Sequence, residues 1–140
     1  GDRVGENVAG AGDVDGDGFD DILIAAPGAE LAKGAVYLIY GSPNLSGTVS
    51  LGVAGTVDLV AAKFIGRAIG DRAGGGTKAF SYQVAGMSGS INFTAYSRGV
   101  AALGDIDGDG RADYAISAML ADPNNRQDSG EVYILYGRGD

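Results

Sequence analysis

The sequence predicts an all-β protein in which one unit is written twice. Three observations carry this. The apolar segments are runs of about five residues bounded by Gly, Pro and Asp, a length typical of strands and too short for helices. No long segment shows the helical period. The 26 glycines alternate with those runs, against only 3 prolines, so they read as turn residues and not as a flexible linker.

The repeat is visible in three blocks that occur in the same order. Val8-Ala9-Gly10-Ala11-Gly12-Asp13-Val14-Asp15-Gly16-Asp17-Gly18 answers to Val100-Ala101-Ala102-Leu103-Gly104-Asp105-Ile106-Asp107-Gly108-Asp109-Gly110. Phe19 to Ala26 answers to Arg111 to Ala118, and Gly34 to Gly41 answers to Gly130 to Gly137. The aspartate loops repeat at a spacing of 92, whereas Gly1-Asp2-Arg3-Val4-Gly5 and Gly70-Asp71-Arg72-Ala73-Gly74 lie 69 apart. The second copy therefore carries an insertion of 23 residues, roughly Gly75 to Ser97. Residues 1–57 are expected to form the first unit and 58–140 the second, with the insertion near 75–97.

Each unit is expected to run strand, aspartate loop, strand, variable loop, strand. Ile22 to Ala26 and Val36 to Tyr40 are nearly continuous apolar runs, which suits strands buried on both faces. The segment from Val57 to Ile69 is expected to hold the outer strand of the first unit and the start of the second. Within the insertion, Phe80, Tyr82 and Val84 alternate with polar residues, as do Ile91, Phe93 and Ala95. Gly86-Met87-Ser88-Gly89 lies between them, so the insertion reads as a β-hairpin with one apolar face.

Composition removes several function classes. Net charge is −8, which disfavours nucleic acid and anionic membrane surfaces as partners. No apolar stretch is long enough to insert into a membrane. With no Cys and no His, disulfides, thiolate or imidazole metal sites, and His- or Cys-based nucleophilic catalysis are all excluded. An all-oxygen site for a hard cation remains open. The chain starts at Gly1 without an initiator Met or a signal peptide, and is expected to be a processed product or an excised fragment.

The acidic residues supply such a site twice. Asp13, Asp15, Asp17 and Asp21 stand at loop positions 1, 3, 5 and 9, and Asp105, Asp107, Asp109 and Asp113 repeat that spacing. Alternating aspartates let a short curled loop point several carboxylates inward, toward the six to eight oxygens that Ca2+ takes. Gly16 and Gly108 permit the bend. The carbonyl at position 7, Phe19 or Arg111, is the natural backbone ligand. Carboxylates this close repel without a cation. The EF-hand shares the first positions but needs a Glu at position 12 and flanking helices. Position 12 here is Ile24 or Ile116, inside strand-like runs, so the EF-hand is rejected. Two calcium ions are expected. Asp20, beside a ligand but off the ligand spacing, reads as a solvent-facing turn residue.

These residues resemble FG-GAP repeats, the blades of the integrin α-subunit β-propeller and of many secreted bacterial proteins. The resemblance rests on the DxDxDGxxD loop, the strand that ends in Ala26-Pro27, and the Gly-led strand rich in Val and Tyr. It covers Gly5 to Gly41 nearly throughout. The second unit departs from it: Ala118-Met119 stands for Ala-Pro, and Phe64-Ile65-Gly66 interrupts the Phe-Gly element. The resemblance implies two propeller blades, a partial propeller, with calcium held by the eight named aspartates.

Two blades cannot close a ring that needs roughly four to eight. The expected partners are the chain itself, in a ring or fibre built through exposed faces and edges, or the remaining blades of a larger propeller. A protein or glycan adhesion ligand is a further expected partner. The inserted hairpin is a candidate for strand addition. The functional expectation is a non-catalytic, calcium-binding extracellular structural or adhesion module, since millimolar external calcium fills even weak sites. The alternative is an accessory domain of a secreted hydrolase, although Glu6, Glu30 and Glu131 stand isolated. Arg138-Gly139-Asp140 at the chain end reads as a coincidental tripeptide. Asn44 and Asn92 head glycosylation sequons, and Tyr37, Tyr40, Tyr133 and Tyr136 read as core or blade-interface residues.

Overall fold

A computed structural model describes residues 1–48, 50–51, 60–83 and 90–138. Short apolar runs such as Ile22–Ala26 and Ala35–Ile39 set the strands, and hydrogen-bonded turns reverse them. β1 (Asn7–Gly12), β2 (Asp21–Ala26), β3 (Ala35–Ile39) and β4 (Ala61–Ile65) form an antiparallel meander in chain order. β5 (Gly75–Gln83) and β6 (Ser90–Arg98) pair as a hairpin, in register from Gly75↔Arg98 to Gln83↔Ser90. β7 (Val100–Gly104), β8 (Asp113–Ala118) and β9 (Glu131–Leu135) form a second antiparallel meander. The first sheet is a four-stranded blade and the second repeats its first three strands, an all-β partial propeller with no closed barrel among the described residues.

The outer strand expected between Val57 and Ile69 is β4, and the insertion expected near 75–97 is the β5–β6 hairpin. The unit boundary at residues 57–58, the turn at Gly86–Gly89 and the side chains of the hairpin's expected apolar face lie outside the described residues, as do Gly139 and Asp140. Among the described residues the helical elements include a four-residue turn, Ala29–Ala32, and a 3-10 turn, Pro123–Asn125. Among the described residues no helix is long and apolar enough to cross a membrane.

The core lies between the two sheets. In the first, Leu23 pairs with Leu38 and Ala9, and Ala25 with Val36, so these share one face. In the second, Ile116 pairs with Val100 and Tyr133, and Tyr114 with Leu135. Leu23, Ala25, Val36 and Leu38 meet Val100, Tyr114, Ile116 and Ala118 in one buried cluster, and β1 lies beside β7. Tyr133 stacks obliquely on Phe64 of β4, with ring centroids 4.9 Å apart, so this tyrosine is a blade-interface residue as expected. The two segments that begin with Gly-Asp-Arg enter the sheets alike: Gly5 N–H donates to Ala25 C=O, and Gly74 N–H to Ser117 C=O, both at 2.9 Å. Gly74 also sits against the first blade, where a Cβ would come within 2.8 Å of Ala25 Cβ.

The expectation of burial on both faces holds in β3, where Ala35, Val36, Leu38 and Ile39 are all buried, and is corrected for β2. Leu23 is fully buried while its neighbour Ile22 is 39% exposed, and Val132 on β9 is 65% exposed. The far face of the first sheet is covered in part, with Ala26 and Ala35 buried there against Ala29, while Val8 and Ile22 on the same face are exposed.

Replacing Leu23 by Ala should cost about 2–5 kcal/mol in chemical denaturation, because its side chain fills the junction. Val8→Ala, exposed on the far face of the same sheet, should stay within about 0.5 kcal/mol. Equal losses at both positions would contradict a main core at the junction.

Candidate metal centre

Both aspartate loops leave the same end of their sheets, between the first and second strands of each meander. The hairpin joins β7 at its other end, through Gly99, so loops and hairpin lie at opposite ends of the blades. Each loop curls because its carboxylates accept hydrogen bonds from its own backbone. Asp13 Oδ1 accepts from Gly16 N–H at 2.7 Å, and Oδ2 from Gly18 N–H at 2.9 Å. Asp105 accepts from Gly108 at 2.6 Å and Gly110 at 2.9 Å. Asp17 N–H donates to Asp15 and Asp109 N–H to Asp107. Phe19 and Arg111 N–H donate to the carboxylates of Asp17 and Asp109, which fixes the turn at position 7. Gly16 and Gly108 both take φ of 82°, the left-handed bend expected of them.

The ninth position behaves differently. Asp21 is 1% exposed and Asp113 fully buried, whereas Asp105, Asp107, Asp109 and Asp17 are exposed and Asp13 and Asp15 half-buried. Asp21 Oδ2 accepts from Val14 N–H and Oδ1 from Gly41 N–H, each at 2.8 Å. Asp113 repeats both bonds with Ile106, at 2.9 Å, and Gly137, at 2.8 Å. A buried carboxylate needs such partners. Burial nevertheless pushes the Asp21 carboxyl up from its ordinary value, the two N–H donors pull it back, and the charges of Asp15 and Asp13 push it up further. Asp20 is exposed, as expected.

One carboxylate oxygen from each of Asp13, Asp15 and Asp21 lies within 4.8 Å of the others, and the same holds for Asp105, Asp107 and Asp109. That separation matches two Ca–O bonds of about 2.3–2.6 Å across a shared ion. Asp13 Oδ1 and Asp105 Oδ1 each accept two backbone N–H groups, whereas Asp13 Oδ2, Asp105 Oδ2 and both oxygens of Asp21 and Asp113 accept one each and keep a second lone pair for a cation. The all-oxygen donor set suits a hard divalent ion. Asp17 and Asp113 lie outside these closest groups; Asp113 is held by backbone at the base of its loop.

Two features of the site were not read from the sequence. Gly41 and Gly137 close the ninth position by direct approach: a Cβ would lie 2.5 Å from Asp20 C=O at Gly41, and 2.6 Å from both Ala112 and Val14 C=O at Gly137. The signal for them was the Tyr-Gly that ends both copies. The loops also touch. Ala112 N–H donates to Asp13 C=O at 2.8 Å, and Arg111 Nε to Asp15 C=O at 3.3 Å, while the Arg111 guanidinium pairs with Asp109 at 3.2 Å. Only the fold brings residues 96 apart together in this way.

The FG-GAP repeat family matches residues 4–39 and 98–135, just over half of the chain, and each match takes in one aspartate loop and its flanking strands. The chain belongs to the FG-GAP repeat family. Integrin alpha chains are among its relatives. It is 31% identical to Integrin alpha-4 of Xenopus laevis over 120 residues, 86% of this chain and 9% of the relative. It is 32% identical to Integrin alpha pat-2 of Caenorhabditis elegans over 83% of this chain and 7% of the relative. Against Integrin alpha-5 of Xenopus laevis identity reaches 50% over 43 residues, 30% of this chain and 4% of that one. The chain thus spans less than a tenth of the length of these integrin relatives.

A carboxyl with its pKa raised in the fold holds its proton more tightly folded than unfolded. Stability without divalent ions therefore falls as pH rises from the unfolded carboxyl value through the folded one. In chelator, the Asp21 contribution to the melting temperature should be lost as pH rises above the ordinary carboxyl value of about 4, and Asp21→Asn should make that fall shallower. Parallel melting curves for the two proteins would remove Asp21 as its source.

Proposed function

We propose that this chain is a calcium-stabilised, non-catalytic module of an extracellular adhesive or structural protein. The observation that carries this reading is the nine-position aspartate loop formed twice, bond for bond, with three carboxylate oxygens gathered in each copy. Family membership and integrin alpha relatives support it. Two ions would bind. Asp13, Asp15, Asp17, Asp21 and the Phe19 carbonyl would hold one; Asp105, Asp107, Asp109, Asp113 and the Arg111 carbonyl would hold the other. Each ion would neutralise a cluster that otherwise repels itself, and would brace the loop that joins two strands of a blade. Metal binding free energy then becomes folding free energy.

The pairing of the three glutamates supports a non-catalytic role. Glu6 pairs with Arg3 at 3.2 Å, Glu30 pairs with Lys63, and Glu131 pairs with Arg67 at 3.2 Å while accepting from the Tyr133 hydroxyl at 2.7 Å. The partners proposed are further blades, of this chain or of a longer propeller, and a protein or glycan ligand. Asn44 is exposed in a turn, where an extracellular host could glycosylate it.

Calorimetric titration should find two calcium ions per chain, and Asp13→Ala or Asp105→Ala should each remove one. A site with Kd of about 10⁻⁴ M should add about 1.4 kcal/mol of stability at about 1 mM calcium. A chain that binds no calcium, with a melting temperature indifferent to chelator, would overturn the reading.

A further inference from the structure

We propose that the Asp-Gly bonds of this chain are latent sites of aspartate isomerisation, and that Asp13 and Asp105 hold them closed. The sequence contains four such bonds, Asp15-Gly16, Asp17-Gly18, Asp107-Gly108 and Asp109-Gly110, and all four lie in the two aspartate loops. Glycine puts no side chain beside its nitrogen, so that nitrogen can reach the aspartate before it. In the reaction the glycine nitrogen attacks Cγ of that aspartate, and an N–Cγ bond forms. A carboxyl oxygen leaves as water, taking the amide hydrogen and a proton from solvent. Water then opens the resulting cyclic imide at either carbonyl. One opening restores aspartate. The other leaves the backbone running through Cγ, an isoaspartyl residue of the same mass. No oxidant or reductant takes part. The isoaspartyl backbone is longer by a carbon and carries its free carboxylate on Cα, so the loop could no longer gather its oxygens.

In the folded chain both reacting groups of every Asp-Gly bond are engaged elsewhere. The nucleophile is held by the first aspartate of its loop. Gly16 N–H donates to Asp13 Oδ1 at 2.7 Å and Gly18 N–H to Asp13 Oδ2 at 2.9 Å. Gly108 and Gly110 N–H donate to Oδ1 and Oδ2 of Asp105 at 2.6 and 2.9 Å. The electrophile is held by the backbone that follows. Asp15 accepts from Asp17 N–H at 3.2 Å, and Asp17 from Phe19 N–H at 2.8 Å. Asp107 accepts from Asp109 N–H at 3.1 Å, and Asp109 from Arg111 N–H at 2.9 Å. Cyclisation must break both kinds of bond. Steric cover is not the protection: a Cβ on Gly18, Gly108 or Gly110 would meet no neighbour within 4 Å, and of the four glycines Gly16 alone lies against another side chain, that of Arg111. Burial is not the protection either, since Asp17, Asp107 and Asp109 are exposed. The hydrogen bonds to Asp13 and Asp105 therefore separate a stable loop from a reactive one, and the rate of isomerisation reports how often each loop opens.

The test is prolonged incubation of the folded chain at neutral pH in chelator, so that the outcome is independent of calcium. Isoaspartate is counted by enzymatic methylation of its free carboxylate and located by electron-transfer fragmentation of the loop peptides. The folded wild type should form it about tenfold or more slowly than the same chain unfolded in urea, because a hydrogen bond to a charged group holds each nitrogen. Asp13→Asn separates the two bonds of the first loop. Its side-chain oxygen can replace Oδ1 over Gly16, while its amide nitrogen cannot accept from Gly18 N–H. Isoaspartate should therefore form at Asp17 about tenfold faster than in wild type, with Asp15 and the second loop of the same molecules unchanged. Asp105→Asn should do the same to Asp109 and spare the first loop. Melting curves establish that each variant is folded at the incubation temperature. A folded wild type that isomerises as fast as the unfolded chain would overturn the proposal, and that comparison needs no variant. So would an Asp13→Asn chain whose first loop ages no faster than its second, or one in which Asp15 and Asp17 respond equally.

Discussion

Each blade hangs on one buried aspartate. Asp21 and Asp113 sit at the first residue of the second strand and accept one N–H from the loop behind the first strand and another from the glycine after the third. Three strands that would otherwise meet only along their ladders are tied at one end by a single carboxylate. A buried charge in that position is tolerable because backbone donors surround it, and its own desolvation is the cost that raises Asp21's affinity for a proton. A cation over the remaining lone pairs would offset the same cost. The stability of the blade and the proposed affinity for calcium are therefore two aspects of one electrostatic arrangement.

That arrangement also sets where the molecule can meet others. With the loops at one end and the inserted hairpin at the opposite end, the blade faces between them are left for packing. The larger buried cluster lies between the two sheets, and a smaller one of Ala26, Ala29 and Ala35 lies on the far face of the first. The Arg111 side chain and the Ala112 N–H bind one loop to the carbonyls of the other, so the two aspartate clusters share a rigid junction and do not act as separate surface turns.

Much of the molecule was legible from residue pattern. Short apolar runs marked β2, β3, β8 and β9, and the difference between spacings of 92 and 69 located the hairpin. These features are local: strand length and the offset between repeats need no knowledge of three-dimensional neighbours. The prediction of strands buried on both faces held for β3 and failed for β2, for a non-local reason. An apolar run reports how a side chain behaves if covered, and whether a cover exists depends on how many blades surround it. Ile22 and Leu23 are equally apolar neighbours, and only the fold makes one exposed and the other buried.

The sequence by itself determined the β class, the twofold repeat and the eight aspartates, because carboxylate spacing within nine residues is a property of the chain alone. Tertiary structure decided the rest. It chose Gly41 and Gly137 as the donors that close the ninth position, since backbone must approach backbone more closely there than a Cβ allows. It brought Arg111 onto Asp15, 96 residues away. It also separated a covered Leu23 from an exposed Ile22, because burial is a relation between surfaces and is written in no single segment.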